Sequence, residues 1–178
     1  MHPNVGNHML VSVLTEFRRI ETTGWNAITQ VAEDDLFSVR IDDEANSLSM
    51  LIRHLDGHVR YRFADLLQRH ADGPWRNARA EFDPNVCMGR QEALDLWHVT
   101  WRRVFEALRP LTWRDLERTV QFGLEPCTLF DILLRELAHY AAHVGQIVLL
   151  AKHVAGRSWV SLSPPMILMD GGAPRHRL

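Results

Sequence analysis

The sequence predicts an all-α protein, a four-helix bundle with long connections. Three observations predict it. Apolar residues recur at three- and four-residue steps in four separate stretches, the pattern of helices with one face in a core. Only one short segment, Thr119 to Phe122, reads as extended, and a single strand cannot make a sheet. The chain has 178 residues, 46% hydrophobic and 24% charged, which is the size and balance of one ordinary globular domain. Such a chain buries roughly two-thirds of its unfolded surface, so it needs no disulfide or metal merely to fold.

The first helix is expected from about Met9 to Ala32, with Leu10, Leu14, Phe17, Trp25, Ile28 and Val31 on one face. Gly24 within it costs about 1 kcal/mol relative to Ala. Glu33, Asp34 and Asp35 oppose the helix dipole, so its end is soft. The second helix starts near Asn46 and Ser47, both good N-caps. Its stripe is Leu48, Leu51, Leu55, Val59, Phe63 and Leu66, and it fades at the turn signal Asp72-Gly73-Pro74. The third runs from about Arg90 to Leu108, with Leu94, Trp97, Trp101, Val104 and Leu108 on one face and Pro110 beyond its end. The fourth is the strongest. Thr128 and Asp131 form a capping box with Asp in place of the usual Glu. Leu129, Leu133, Leu137, Tyr140, Val144, Ile147 and Leu150 follow, and Gly156 stands where a C-terminal glycine belongs. Residues 1–160 are expected to form the bundle, and 161–178 an irregular tail.

Composition narrows the function classes. Lysine plus arginine total 20 against 22 acidic residues, a net charge of −2, which does not suit a nucleic-acid binder. No apolar run is long enough to read as a transmembrane helix, so no membrane association is expected. The N-terminal stretch lacks the pattern of a signal peptide. Cys87 and Cys127 make no disulfide framework, and the expected location is cytoplasmic.

The ten histidines carry the functional argument. His139 and His143 lie at i and i+4 on the fourth helix, about 6 Å apart along its axis, where two imidazoles can converge on one metal ion. They sit in the row Ile132, Glu136, His139, His143, Ile147, Leu150, which runs inward, and burying imidazoles is costly unless each nitrogen finds a partner. The second helix repeats the spacing with His54 and His58, each three residues from a core leucine. Packing these helices together brings three or four imidazoles to one place. Three histidines and a vacant position are the arrangement of a catalytic metal site. Gln146 and Glu136, each about one turn from a histidine of the fourth helix, are candidates to orient an imidazole, touch a ligand or act as a base. His2, His8, His70, His98, His153 and His176 lie at ends or on polar faces. Glu136-x-x-His139 has no second copy, which argues against a di-iron carboxylate site.

These residues resemble a family. His139-Tyr-Ala-Ala-His143-Val-Gly-Gln146 is similar to the His-x-x-x-His-x-Gly-Gln pattern of the DinB/YfiT-like superfamily, and His54-Leu55 resembles its first histidine. Pro74-Trp75-Arg76-Asn77, with Glu81-Phe82 after it, is similar to a subgroup of uncharacterised bacterial DinB-like proteins. The resemblance covers about residues 8 to 160. It implies a four-helix bundle with a divalent metal, commonly zinc or nickel, on His54, His139 and His143. His58 lies outside that triad and is a possible fourth ligand. The resemblance also implies activities such as transfer of a low-molecular-weight thiol to an electrophile. The expected function is therefore metal-dependent transfer of such a thiol to a small-molecule substrate. The alternatives are a metal-dependent hydrolase using metal-bound water, and a non-enzymatic metal- or ligand-binding bundle. Trp25, Trp97 and Trp101 bring more aromatic bulk than a small bundle's centre takes, and with the resemblance they predict a homodimer.

Overall fold

The computed structural model describes residues 2–64, 66, 76–122 and 125–162. Five helices are present: α1 (Pro3–Ile28), α2 (Leu48–Phe63), the single turn α3 (Ala78–Glu81), α4 (Arg90–Leu108) and α5 (Leu129–Ala155). The four long ones form the expected bundle. α1 packs on α5 and α4, and α2 packs on α4 and α5. The expected tail lies almost wholly outside the described residues.

Local signals explain the ends. α1 begins earlier than the apolar pattern suggests, because Pro3 suits the first turn and the His2 ring accepts from the Asn4 N–H. It stops at Ile28, where Thr29 turns its hydroxyl back to the Trp25 carbonyl. Ser47 caps α2 by accepting from the Met50 N–H. α2 ends at Phe63, and Leu66 is buried just beyond it. α4 and α5 have the expected bounds. The Thr128–Asp131 box is made in both directions, at 3.1 Å each way through the backbone N–H groups, and Gly156 closes α5 with a φ of 55°.

One expectation fails. Thr119–Phe122 does have a partner strand, Glu125–Thr128, and the two pair antiparallel as β1 and β2. Pro126 and the absence of apolar alternation hid the second strand. The hairpin leads directly into the capping box of α5.

The tryptophans also need correcting. Trp97 and Trp101 are almost fully buried, and only Trp25 is exposed among the three. They fit because Gly24 of α1 faces Trp97. A Cβ at Gly24 would lie 2.3 Å from two atoms of the indole ring. The glycine that looked like a helix cost is the notch into which α4 packs. Tyr140 stands at the bundle's centre, with ring centroids 6.1 Å from Phe17, 6.2 Å from Phe63 and 5.8 Å from Trp101. This aromatic layer fixes α5 against the other three helices and so sets the height of the histidines beside it.

Among the described residues, no helix is long and apolar enough to cross a membrane.

Candidate metal centre

The two histidine pairs face each other across the α2–α5 contact. His54, His139 and His143 each offer a ring nitrogen, and these three atoms lie within 4.8 Å of one another. The Nε2 atoms of His54 and His143 are 3.1 Å apart. Two imidazoles bound at 2.0–2.1 Å to one ion, with angles of 90° to 109°, place their nitrogens about 2.8–3.4 Å apart. The observed pair falls inside that window. His139 supplies the third nitrogen of the set, and its Nε2 is buried and has no hydrogen-bond partner.

The Nδ1 atoms of His54 and His143 are held. Nδ1 of His143 lies 3.3 Å from Oε1 of Gln146, one turn further along α5. Nδ1 of His54 lies 3.0 Å from Oε2 of Glu81. If Nδ1 carries the proton in both rings, Gln146 and Glu81 accept from them, and both Nε2 lone pairs turn toward the shared space. A carboxylate or amide behind a histidine is the usual support of a metal ligand.

Glu81 was not among the sequence candidates, and it is held by an elaborate local arrangement. Arg76 grips its carboxylate, with Nε donating to Oε1 at 2.7 Å and Nη2 donating to Oε2 at 2.6 Å. The same Nη2 is 2.9 Å from His54 Nδ1. Arginine can only donate and the carboxylate can only accept. The two neighbours therefore favour opposite tautomers of His54, and only the one facing Glu81 frees Nε2. Glu81 reaches His54 by crossing α2 at Gly57, where a Cβ would lie 2.1 Å from Oε1. A glycine inside an amphipathic helix, one turn after a histidine, was the available signal. In the sequence, Arg76 and Glu81 stand out only as part of Pro74-Trp75-Arg76-Asn77 and Glu81-Phe82, the stretches similar to the uncharacterised DinB-like subgroup. Phe82 also packs on His54, with centroids 4.7 Å apart.

His58 lies outside the converging trio. Its Nδ1 is 3.2 Å from the Tyr140 hydroxyl and 3.3 Å from Oε2 of Glu136. Its ring stacks on His139, with centroids 4.1 Å apart. Glu136 is buried and sits against His58 and Arg62, whose Nε is 3.4 Å from its Oε1. The stack limits where the His139 ring can turn.

Electrostatics favour neutral imidazoles. Burial lowers the pKa of His54, His58, His139 and His143 and neighbouring cationic groups add to this, while Glu81 beside His54 and Gln146 beside His143 oppose it without reversing it. His139 falls to about 4 and His58 to about 2. At neutral pH the His58 ring beside Glu136 is then neutral, and their contact is not an ion pair. Burial raises the Tyr140 phenol well above 10, so it stays protonated. Burial also raises Glu81, but hydrogen bonds from Arg76 and His54 outweigh it and hold the carboxyl below its ordinary value. The result is three neutral imidazoles with a fixed carboxylate behind His54, which is the protonation state metal binding requires.

The profile of the family described as "Protein of unknown function (DUF1572)" matches residues 4–167. The chain belongs to that family. No curated protein and no solved structure matches the chain.

Proposed function

We propose that His54, His139 and His143 hold a divalent metal ion, zinc or nickel, and that the chain is a DinB/YfiT-like enzyme transferring a low-molecular-weight thiol to a small electrophile. The observation that carries the metal reading is the buried, unpartnered Nε2 of His139 beside the 3.1 Å Nε2 pair of His54 and His143. Without an ion, three nitrogens with inward lone pairs leave at least one buried acceptor unsatisfied, which costs about 1–3 kcal/mol. The trio spans up to 4.8 Å, wider than a bound set, so binding an ion would draw the three rings closer together.

When bound, the ion would supply Lewis acidity that turns an incoming thiol into a thiolate. The chain's part is to hold geometry. Glu81 accepts the Nδ1 proton of His54, Gln146 accepts that of His143, and the Phe82 ring covers one side of His54. Three histidine donors leave a position open for a reactant. The thiol reading rests on the motif ending in Gln146. Cys87 and Cys127 are both free, which suits a reducing compartment and a cytoplasmic location. The same family resemblance supports a homodimer, which light scattering tests directly.

The test of the activity is turnover of a generic electrophile with a panel of bacterial thiols. Product should form only with both thiol and metal, a chelator should stop it, and Cys87→Ala and Cys127→Ala should leave it unchanged. Metal-dependent turnover without thiol would overturn the transferase in favour of a hydrolase. Stoichiometric metal without turnover of any kind would leave a binding protein.

A further inference from the structure

Beside the metal centre, α2, α3 and the first half of α4 line an open cleft of about 600 Å³. That is within the range of small-molecule sites. Much of its wall is apolar, with the Tyr61 ring, Val86, Met88 and Leu96 among the lining residues. None of the three converging histidines lines it.

Its buried and half-buried charges are paired with one exception, while Glu92, also in the lining, is exposed to solvent. Asp56 is buried and accepts from Thr100 at 2.9 Å and Arg103 at 2.7 Å, and it also pairs with Arg60 at 2.6 Å. Glu81 is satisfied by Arg76 and His54. Arg53 is the exception. One of its amino groups donates to the Asp83 carbonyl at 2.7 Å. Its Nε is buried without a hydrogen-bond partner, and no carboxylate among the described residues pairs with it. A partly buried guanidinium lacking a counter-charge is unfavourable unless something supplies one. A planar carboxylate matches its fork. A single half-buried cation without a counter-charge, in a largely apolar space whose remaining carboxylate Glu92 is solvent-exposed, suits one acid group on an organic body, and not a polyanion.

We propose that this cleft binds a small organic carboxylate, its acid group on Arg53 and its apolar body against Tyr61, Met88 and Leu96. The site goes beyond the metal reading and stands without it. The two sites share Arg76 and Glu81, so an occupant rests against the back of the pair that orients His54.

The experiment titrates the full chain at neutral pH with a panel of alkyl and aryl carboxylates, each matched with its primary amide. It is run with and without a chelator. Some carboxylates should bind, their amides at least tenfold more weakly, and the chelator should not abolish binding. Arg53→Gln, which can still donate to the Asp83 carbonyl, should weaken binding at least tenfold with the helical circular dichroism retained. Arg53→Lys, which keeps charge but not the fork, should fall between. The proposal is overturned if no carboxylate binds at millimolar concentration, if the amides bind equally, or if Arg53→Gln keeps wild-type affinity. Loss of metal binding alone would not touch it.

Discussion

Replacing Glu81 with alanine should weaken the metal centre without dismantling the bundle. The substitution removes the acceptor 3.0 Å from His54 Nδ1 and both hydrogen bonds from Arg76. His54 is then left with Arg76, 2.9 Å from the same nitrogen. Arginine stabilises the tautomer with the proton on Nε2, the wrong one for a ligand. Loss of such a support typically costs about 10–100-fold in metal affinity, or about 1.4–2.8 kcal/mol. The folding cost is smaller than for a deeply buried pair, where removing one partner costs about 3–5 kcal/mol. Arg76 is 19% exposed and can swing to water. Competition with a chromophoric chelator reads the metal affinity, and circular dichroism reads the fold. Glu81→Gln keeps an acceptor for His54 and should lie between wild type and Glu81→Ala. Wild-type metal affinity in a folded Glu81→Ala variant would refute the reasoning.

Three further outcomes follow from the same geometry. Gly57→Ala raises helix propensity by about 1 kcal/mol, yet its Cβ would meet Glu81 Oε1 at 2.1 Å. Metal affinity should therefore fall in the same direction as for Glu81→Ala, as the same chelator competition will show. Gly24→Ala should lower stability by about 1–3 kcal/mol through overpacking against Trp97, measured by urea unfolding. Metal-free protein should lose stability as pH falls below about 6.5, because the histidines' lowered pKa values let the unfolded chain bind protons first. The slope should be at most about 1.4 kcal/mol per pH unit for each histidine. Glu81 acts lower still: its contribution is present above its ordinary carboxylate range and is lost as pH falls through its depressed value. A flat stability profile between pH 7 and 5 would contradict this assignment.

Periodicity made α4 and α5 readable to their ends, because both carry a clean apolar stripe with a terminator or cap beside it. The inward row from Ile132 to Leu150 placed His139 and His143 beside the core, and the second i,i+4 pair placed His54 opposite them. The same pattern could not separate His54 from His58. That choice depends on ring direction: His58 turns toward Tyr140 and Glu136, whereas His54 turns toward His143. Glu81 was unreadable for a different reason. It comes from a one-turn helix too short for any periodic signal, 27 residues away from His54 in sequence. Gly24 and Gly57 show the reverse case. Each looks like a local helix defect, and each marks a close tertiary contact. A free imidazole sets proton competition for a metal near about 6.5. Burial moves it to more acid pH, to about 4 for His139.

Metal content of the full chain, purified without a polyhistidine tag and compared with His139→Ala, tests the central claim most directly. The account predicts one divalent ion per wild-type chain. In His139→Ala that stoichiometric ion should be lost while the helical circular dichroism remains. A wild-type chain that binds no divalent ion, or a His139→Ala chain that keeps a full equivalent, would contradict it.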